Sequence, residues 1–187
     1  MIKVIVVCFA NTCRSPVAES LLRRHLARVD DVQVSARGVV GGLGPTPDAL
    51  AEILVTRHLV LGEPRGVVLE RDEARAADLL LFAERRLLRE SVVTDPSLWP
   101  KSFTLLEFAR RSMINPPDTT DAHFAAWLSV LHTGRSRDEL LGDNQLDDVS
   151  DPGLAGTSDE FAQMVDDLES VVGKIVPVLI GWSTTSG

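Results

Sequence analysis

Tyrosine is absent from this chain, aromatic residues make up only 5% of it, and cysteine occurs just twice. With no phenol available, any site must be walled by other side chains. Two cysteines cannot build a disulfide framework, and in a chain with no secretory signal they point to a reducing cytoplasm. The four histidines, His25, His58, His123 and His132, do not show metal-ligand spacing on one helix face, so neither a metal nor a cofactor is expected. Positive charge is in deficit. Nineteen Lys and Arg against 27 Asp and Glu give a net charge of -8, and the pI is near 5.0. That balance excludes non-specific binding to nucleic acid or to an anionic membrane, both of which need a basic surface. No apolar run approaches a transmembrane span, and the N-terminal one is too short for a signal peptide and lacks a small-residue cleavage site.

What is present is enough apolar residue, 44% of 187, to bury the core of one domain without staples. Ile2, Val4, Ile5, Val6 and Val7 form a short, almost continuous β-branched run, as expected of a parallel strand buried on both faces. Ser15-Pro16 has the form of a helix cap followed by a first helical residue. The intervening loop joins a strand end to a helix start. There, unpaired backbone N–H groups and the positive end of the helix dipole favour an anion, so the peptides of Phe9, Ala10, Asn11, Thr12, Cys13, Arg14 and Ser15 can wrap a phosphate-sized group. Cys8 enters this cradle from the strand, and the same N–H groups favour its thiolate, a nucleophile. Arg14 adds a planar fork able to hold two phosphoryl oxygens at once. Phosphate, sulfate and arsenate all suit such a cradle.

Along the chain, Ala18, Leu21, Leu22, His25, Leu26 and Val29 keep the helical period, leaving Arg23, Arg24 and Arg28 exposed. Val32, Val34 and Ala36 alternate as a second strand. Glycines and prolines from Gly38 to Pro47 predict a loop over the strand ends, and their spacing fits neither a dinucleotide fingerprint nor a Walker loop. Asp48 is read as the cap of a second helix, and Arg71 to Ala76 as a short one. Asp78 to Phe82 reads as a third strand, Glu84 to Val93 as helix, and Ser102 to Leu105 as a fourth strand followed by a helix through Phe108. Such an order predicts an α/β fold, a single domain with a four-stranded parallel sheet flanked by helices and its ligand at the carboxyl ends of the strands. Residues 112–150 differ in character and read as a helical insertion, with Phe124, Trp127, Leu128 and Leu131 at helical spacing. The final helix carries Phe161, Val165, Leu168, Val172, Ile175, Val176 and Leu179 behind a capping box of Thr157 and Glu160. Residues 181–187 read as a frayed tail.

A thiolate attacking a phosphate monoester must expel an alkoxide or phenolate, and a carboxylic acid on a loop is a common proton source for it. Asp151, fixed in extended geometry by Pro152 and followed by Gly153, is the leading candidate. Asp143, Asp147 and Asp148 compete, because aspartates in such clusters are ordinary turn formers.

The stretch Cys8-Phe9-Ala10-Asn11-Thr12-Cys13-Arg14-Ser15-Pro16 with Ala18-Glu19, then Val34-Ser35-Ala36, Ala77-Asp78-Leu79-Leu80-Leu81 and Asp151-Pro152, resembles the low-molecular-weight protein-tyrosine phosphatase family in order along nearly the whole chain. The resemblance implies a phosphocysteine intermediate on Cys8, phosphate held by Arg14, and Asp151 as acid and then base. It also implies that Asn11 shapes the loop, that Ser15 hydrogen-bonds the thiolate, and that Ser35 braces Asn11. Cys13 would be partner to Cys8 in a reversible disulfide, or else a small buried residue that lies near it by chance. Substrates would be phosphorylated proteins or small phosphomonoesters. Three departures stand out. Ala10 replaces a usual glycine, a strain of about 1 kcal/mol if that position needs positive φ. Glu84 stands about where an aspartate is often found. No aromatic follows Asp151-Pro152, which turns attention to Phe124 or Trp127 as a substitute pocket wall. Two other functions share the loop: an arsenate reductase using an external small thiol, and a phosphate or phosphoprotein binder without turnover.

Overall fold

The computed structural model describes residues 1–42, 44–117, 123–136, 140–142 and 145–183. Four strands, β1 (Ile2–Cys8), β2 (Val32–Gly38), β3 (Leu79–Phe82) and β4 (Ser102–Thr104), form one sheet in the order β2-β1-β3-β4. Every pairing is parallel, with Ile5 opposite both Ser35 and Leu80 and Leu81 opposite Phe103. The chain leaves β1 for a neighbour on one side and later returns to pair on the other. The carboxyl end of β1 is therefore a topological switch point, where an open α/β sheet leaves a crevice. Cys8 is the last residue of that strand.

Helices cover both faces. Val4, Val6, Leu79 and Leu81 face α1 (Arg14–His25), α2 (Asp48–Thr56), α5 (Leu105–Ile114), α6 (Phe124–Leu131) and α7 (Ser158–Ser183) across the larger core. Ile5, Val7, Leu80 and Phe82 face α3 (Arg71–Ala76), α4 (Arg85–Thr94) and the 3-10 turn Pro96–Lys101. Leu79 to Phe82 are fully buried, which explains why this strand shows no polar alternation.

Several boundaries differ from the sequence reading. Helix α1 begins at Arg14, one residue before the expected cap, so Pro16 is its third residue. Proline costs nothing there, because the first four helical N–H groups lack partners in any case, and the Ser15 hydroxyl is left free for other work. Asp48 lies inside the first turn of α2 rather than capping it from outside. His25 is exposed, whereas Glu19 and Ser20 are buried, with Ser20 donating to the Val60 carbonyl at 2.8 Å. The capping box stands as read: Glu160 Oε2 accepts from the Thr157 N–H at 2.8 Å, and Thr157 Oγ1 accepts from the Glu160 N–H at 3.3 Å. Helix α7 then runs to Ser183 through Pro177, past the expected fraying point. Within the expected insertion 112–150 the structure shows α6, while residues 118–122, 137–139 and 143–144 lie outside the described residues.

Candidate active site

Strand β1 delivers Cys8, α1 delivers Arg14, and Phe9 to Cys13 turn between them. The loop after β2 fixes the turn's carbonyls. Val39 N–H lies 3.1 Å from the Cys8 carbonyl and 2.9 Å from that of Phe9, and Val40 N–H donates to the Phe9 carbonyl at 3.0 Å. With its carbonyls drawn outward, the turn keeps its own N–H groups free. None of those from Phe9 to Cys13 donates to a protein acceptor among the described residues. Unpaired N–H groups at a helix start are the arrangement that favours an anion.

Asn11 is the pivot. Its φ of 52° places it in the left-handed region, which asparagine tolerates better than most residues. Ala10 is not at positive φ, so the strain anticipated from its replacing glycine does not arise. The Asn11 side chain donates to Ser15 Oγ at 3.1 Å, its Oδ1 accepts from Val67 N–H at 3.1 Å, and its carbonyl accepts from Gly66 N–H at 3.1 Å. Ser35 has no part in this. It lies opposite Ile5, three residues back along β2 from the cradle, and the bracing expected of it comes from Val67 and Gly66 instead. Gly38 permits the close approach of the two loops, since a Cβ there would meet the Val40 oxygen at 2.7 Å and the backbone of Ala10 and Asn11 at 2.9 Å.

The Ser15 hydroxyl, receiving Asn11's amide, has Cys8 Sγ at 3.0 Å and the Arg37 carbonyl at 3.1 Å within donor reach. It has one proton to give. Cys13 is also buried. Burial first, then the neighbouring Cys8 and Asp151, push its thiol up to about 12, so it stays protonated at neutral pH.

Arg14 is almost fully buried, and its Nη2 contacts Glu84 Oε1 at 2.9 Å and Asp151 Oδ2 at 2.5 Å, while Nη1 points to the Val149 carbonyl at 3.4 Å. The carboxylate of Glu84 holds the guanidinium from behind, a contact across 70 residues of sequence for which the third-strand likeness is the one available signal. Asp151, about half exposed, meets it from the open side. Above Cys8 opens a cavity of about 170 Å³ lined by Phe9, Ala10, Thr12, Cys13, Arg14, Asp151, Gly153 and Leu154. Several water volumes fit there, room for a tetrahedral oxyanion.

Of the competing aspartates, Asp147 is buried in ion pairs with Arg85 and Arg110, and Asp148 accepts the Arg85 N–H at 2.6 Å. Neither lines the cavity, and Asp143 lies outside the described residues. Phe124 and Trp127 are not a pocket wall. Trp127 is buried against Phe108 and Trp182, and its indole donates to the Asn115 carbonyl at 3.0 Å. Among the described residues, no group of three or more His, Cys, Asp or Glu could hold a metal ion.

A parallel sheet in this order, with a thiol and a guanidinium on one strand-to-helix turn, is the plan of a cysteine-dependent phosphatase. The comparisons specify which kind. Residues 3–134 match the model of the low molecular weight phosphotyrosine protein phosphatase family, and the chain belongs to that family. A probable low molecular weight protein-tyrosine-phosphatase, EpsP of Ralstonia solanacearum, is 32% identical over 135 residues, 72% of this chain and 92% of the relative. A crystal structure of a YwlE mutant from Bacillus subtilis superposes with a TM-score of 0.68 at 25% identity, covering 96% of this chain and 99% of its own. The YwlE arginine phosphatase with serine in place of its cysteine, and that active-site serine phosphorylated, gives the same score and identity over 95% of each chain.

Proposed function

We propose that Cys8, Arg14 and Asp151 carry out the dephosphorylation of phosphorylated proteins or small phosphomonoesters in the cytoplasm. Cys8 Sγ attacks phosphorus, the S–P bond forms as the P–O bond breaks, and Asp151 gives its proton to the departing oxygen. Asp151, now a carboxylate, takes a proton from the water that attacks phosphorus, and Cys8 leaves with inorganic phosphate as the product. Arg14 and the N–H groups of Phe9 to Ser15 meet the charge that spreads over the equatorial oxygens in both steps. Residues 1–187 act as one domain, with 112–150 as a helical insertion in it. The chemistry uses no cofactor.

The observation that carries this reading is the 3.0 Å contact of Ser15 Oγ with Cys8 Sγ on the floor of a cavity whose rim bears Asp151. Hydrolysis of p-nitrophenyl phosphate should be lost in Cys8→Ser, while inorganic phosphate still binds; turnover by that variant refutes the mechanism. Arsenate reduction coupled to an external small thiol is not favoured, because the relatives are phosphatases. Binding of phosphate by the native chain with no burst of nitrophenol would instead support the non-catalytic reading.

For the substrate residue, phosphotyrosine follows from the family, and Phe9 and Leu154 offer an apolar rim for a ring. Phosphoarginine is the second reading. It is supported by the likeness to YwlE and by the half-exposed carboxylate of Asp151 at the mouth, which suits a cationic leaving group better than a phenol. The ratio of kcat/KM for a phosphotyrosyl and a phosphoarginyl peptide of one sequence decides between them.

A further inference from the structure

The three residues that end just before Ser150 and Asp151 are each fastened to the body of the fold, and none lines the cavity. Asp147 joins the start of α4 to α5: its Oδ2 lies 2.5 Å from Arg85 Nη2 and 2.9 Å from Arg110 Nη2. Asp148 Oδ1 accepts the backbone N–H of Arg85 at 2.6 Å, closing the first turn of α4. Val149 N–H donates to the Ala83 carbonyl at 2.8 Å, one residue beyond β3, and its own carbonyl faces Arg14 Nη1. Asp147, Val149 and Arg85 are all buried.

On its other side Asp151 has no such support. Between it and the capping box of α7, no backbone hydrogen bond to the rest of the fold occurs among the described residues; the Gly153 N–H simply folds back on Asp151 Oδ1 at 3.0 Å. Two residues of chain span at most about 7 Å, so the reach of Asp151 is set from Val149. We infer that Asp147 and Asp148 are positioning residues for the acid, holding the chain so that the Asp151 carboxyl meets Arg14 and, with substrate bound, the leaving oxygen. The inference rests on the reading of Asp151 as proton donor. Burial pushes the Asp148 carboxyl up, so this group is kept at a desolvation cost that a simple surface turn would not carry. The Arg85 N–H it accepts belongs to the residue following Glu84, so one peptide ties the loop to the carboxylate behind Arg14.

A misplaced acid shows itself through the leaving group. An activated nitrophenolate departs with little protonation, whereas an unactivated phenolate needs the proton, and kcat/KM reports only the steps through formation of phosphocysteine. In Asp148→Ala the ratio of kcat/KM for phenyl phosphate to that for p-nitrophenyl phosphate should fall about tenfold, a fraction of the 10²–10⁴ that general acid catalysis is worth. Asp148→Asn, whose amide oxygen can still accept the Arg85 N–H, should restore it. Should Asp148→Ala fail to fold, Asp147→Asn reads the same ratio. Asp151→Asn is the reference and should lower the ratio furthest. A wild-type ratio in folded Asp148→Ala and Asp147→Asn, beside a depressed ratio in Asp151→Asn, overturns the positioning role alone. An undepressed ratio in Asp151→Asn removes the acid assignment, and this inference with it. General damage to the fold would lower both substrates together.

Discussion

The Asp151 carboxylate occupies the open side of Arg14, so an oxyanion that binds there must displace it or share the guanidinium with it. Replacing Asp151 by Asn keeps the shape and removes the charge. The contact is 2.5 Å between heavy atoms. With charge centres about 4 Å apart and an effective dielectric near 20, the attraction is about 4 kcal/mol. Asp151 is nearly half exposed, with 47% of its side chain accessible, and solvent screening reduces the net effect to about 1–2 kcal/mol. Because Glu84 remains on Arg14 in either case, the prediction concerns only the outer carboxylate. Asp151→Asn should therefore bind inorganic phosphate or vanadate about 5- to 30-fold more tightly, read by isothermal titration calorimetry at low salt. The gain should shrink as salt is added, because the competing carboxylate is accessible to ions. Equal or weaker oxyanion affinity in this variant would show that Asp151 does not compete for the Arg14 guanidinium, and would refute the reasoning.

Gly38→Ala should lower stability by about 1–3 kcal/mol in urea unfolding and weaken phosphate binding, because its Cβ would press on the backbone of Ala10 and Asn11 rather than on a side chain that can turn away. Trp127→Ala should cost about 3–5 kcal/mol of stability while kcat/KM for p-nitrophenyl phosphate in the folded protein changes little, since the indole fills the core and not the pocket; a large loss of kcat/KM in folded protein would return this residue to the site. His132 is lowered to about 4 by burial and by Arg135 and Arg111. The unfolded chain takes up its proton near pH 6.5 and the folded one only near 4, so stability should fall as the pH drops through that interval. Allowing for partial exposure, the loss is about 1–2 kcal/mol. His132→Gln should flatten this slope in melts followed from pH 7 to 4; an unchanged slope assigns the acid sensitivity elsewhere.

Whatever depended on near neighbours could be read from the chain. The buried β-branched run of β1, the helix that follows it and the Thr157–Glu160 box each arise from residues a few positions apart, where backbone sterics and helix-end chemistry act; the turn between strand and helix is local too, but Val39, Val40, Gly66 and Val67 hold it in place. Packing decided the remainder. Asp143, Asp147, Asp148 and Asp151 look alike as turn formers, and only the placement of α4 and α5 makes Asp147 a buried fastening and Asp148 a half-buried one, and leaves Asp151 beside Arg14 at the cavity. Ser35 looked suited to brace Asn11, yet the register of β2 sets it opposite Ile5, and a loop 55 residues away from Asn11 provides Gly66 and Val67 instead. Local sequence determines which conformations a segment can take, but the partner of a buried charge or amide is set by which distant elements the core brings beside it.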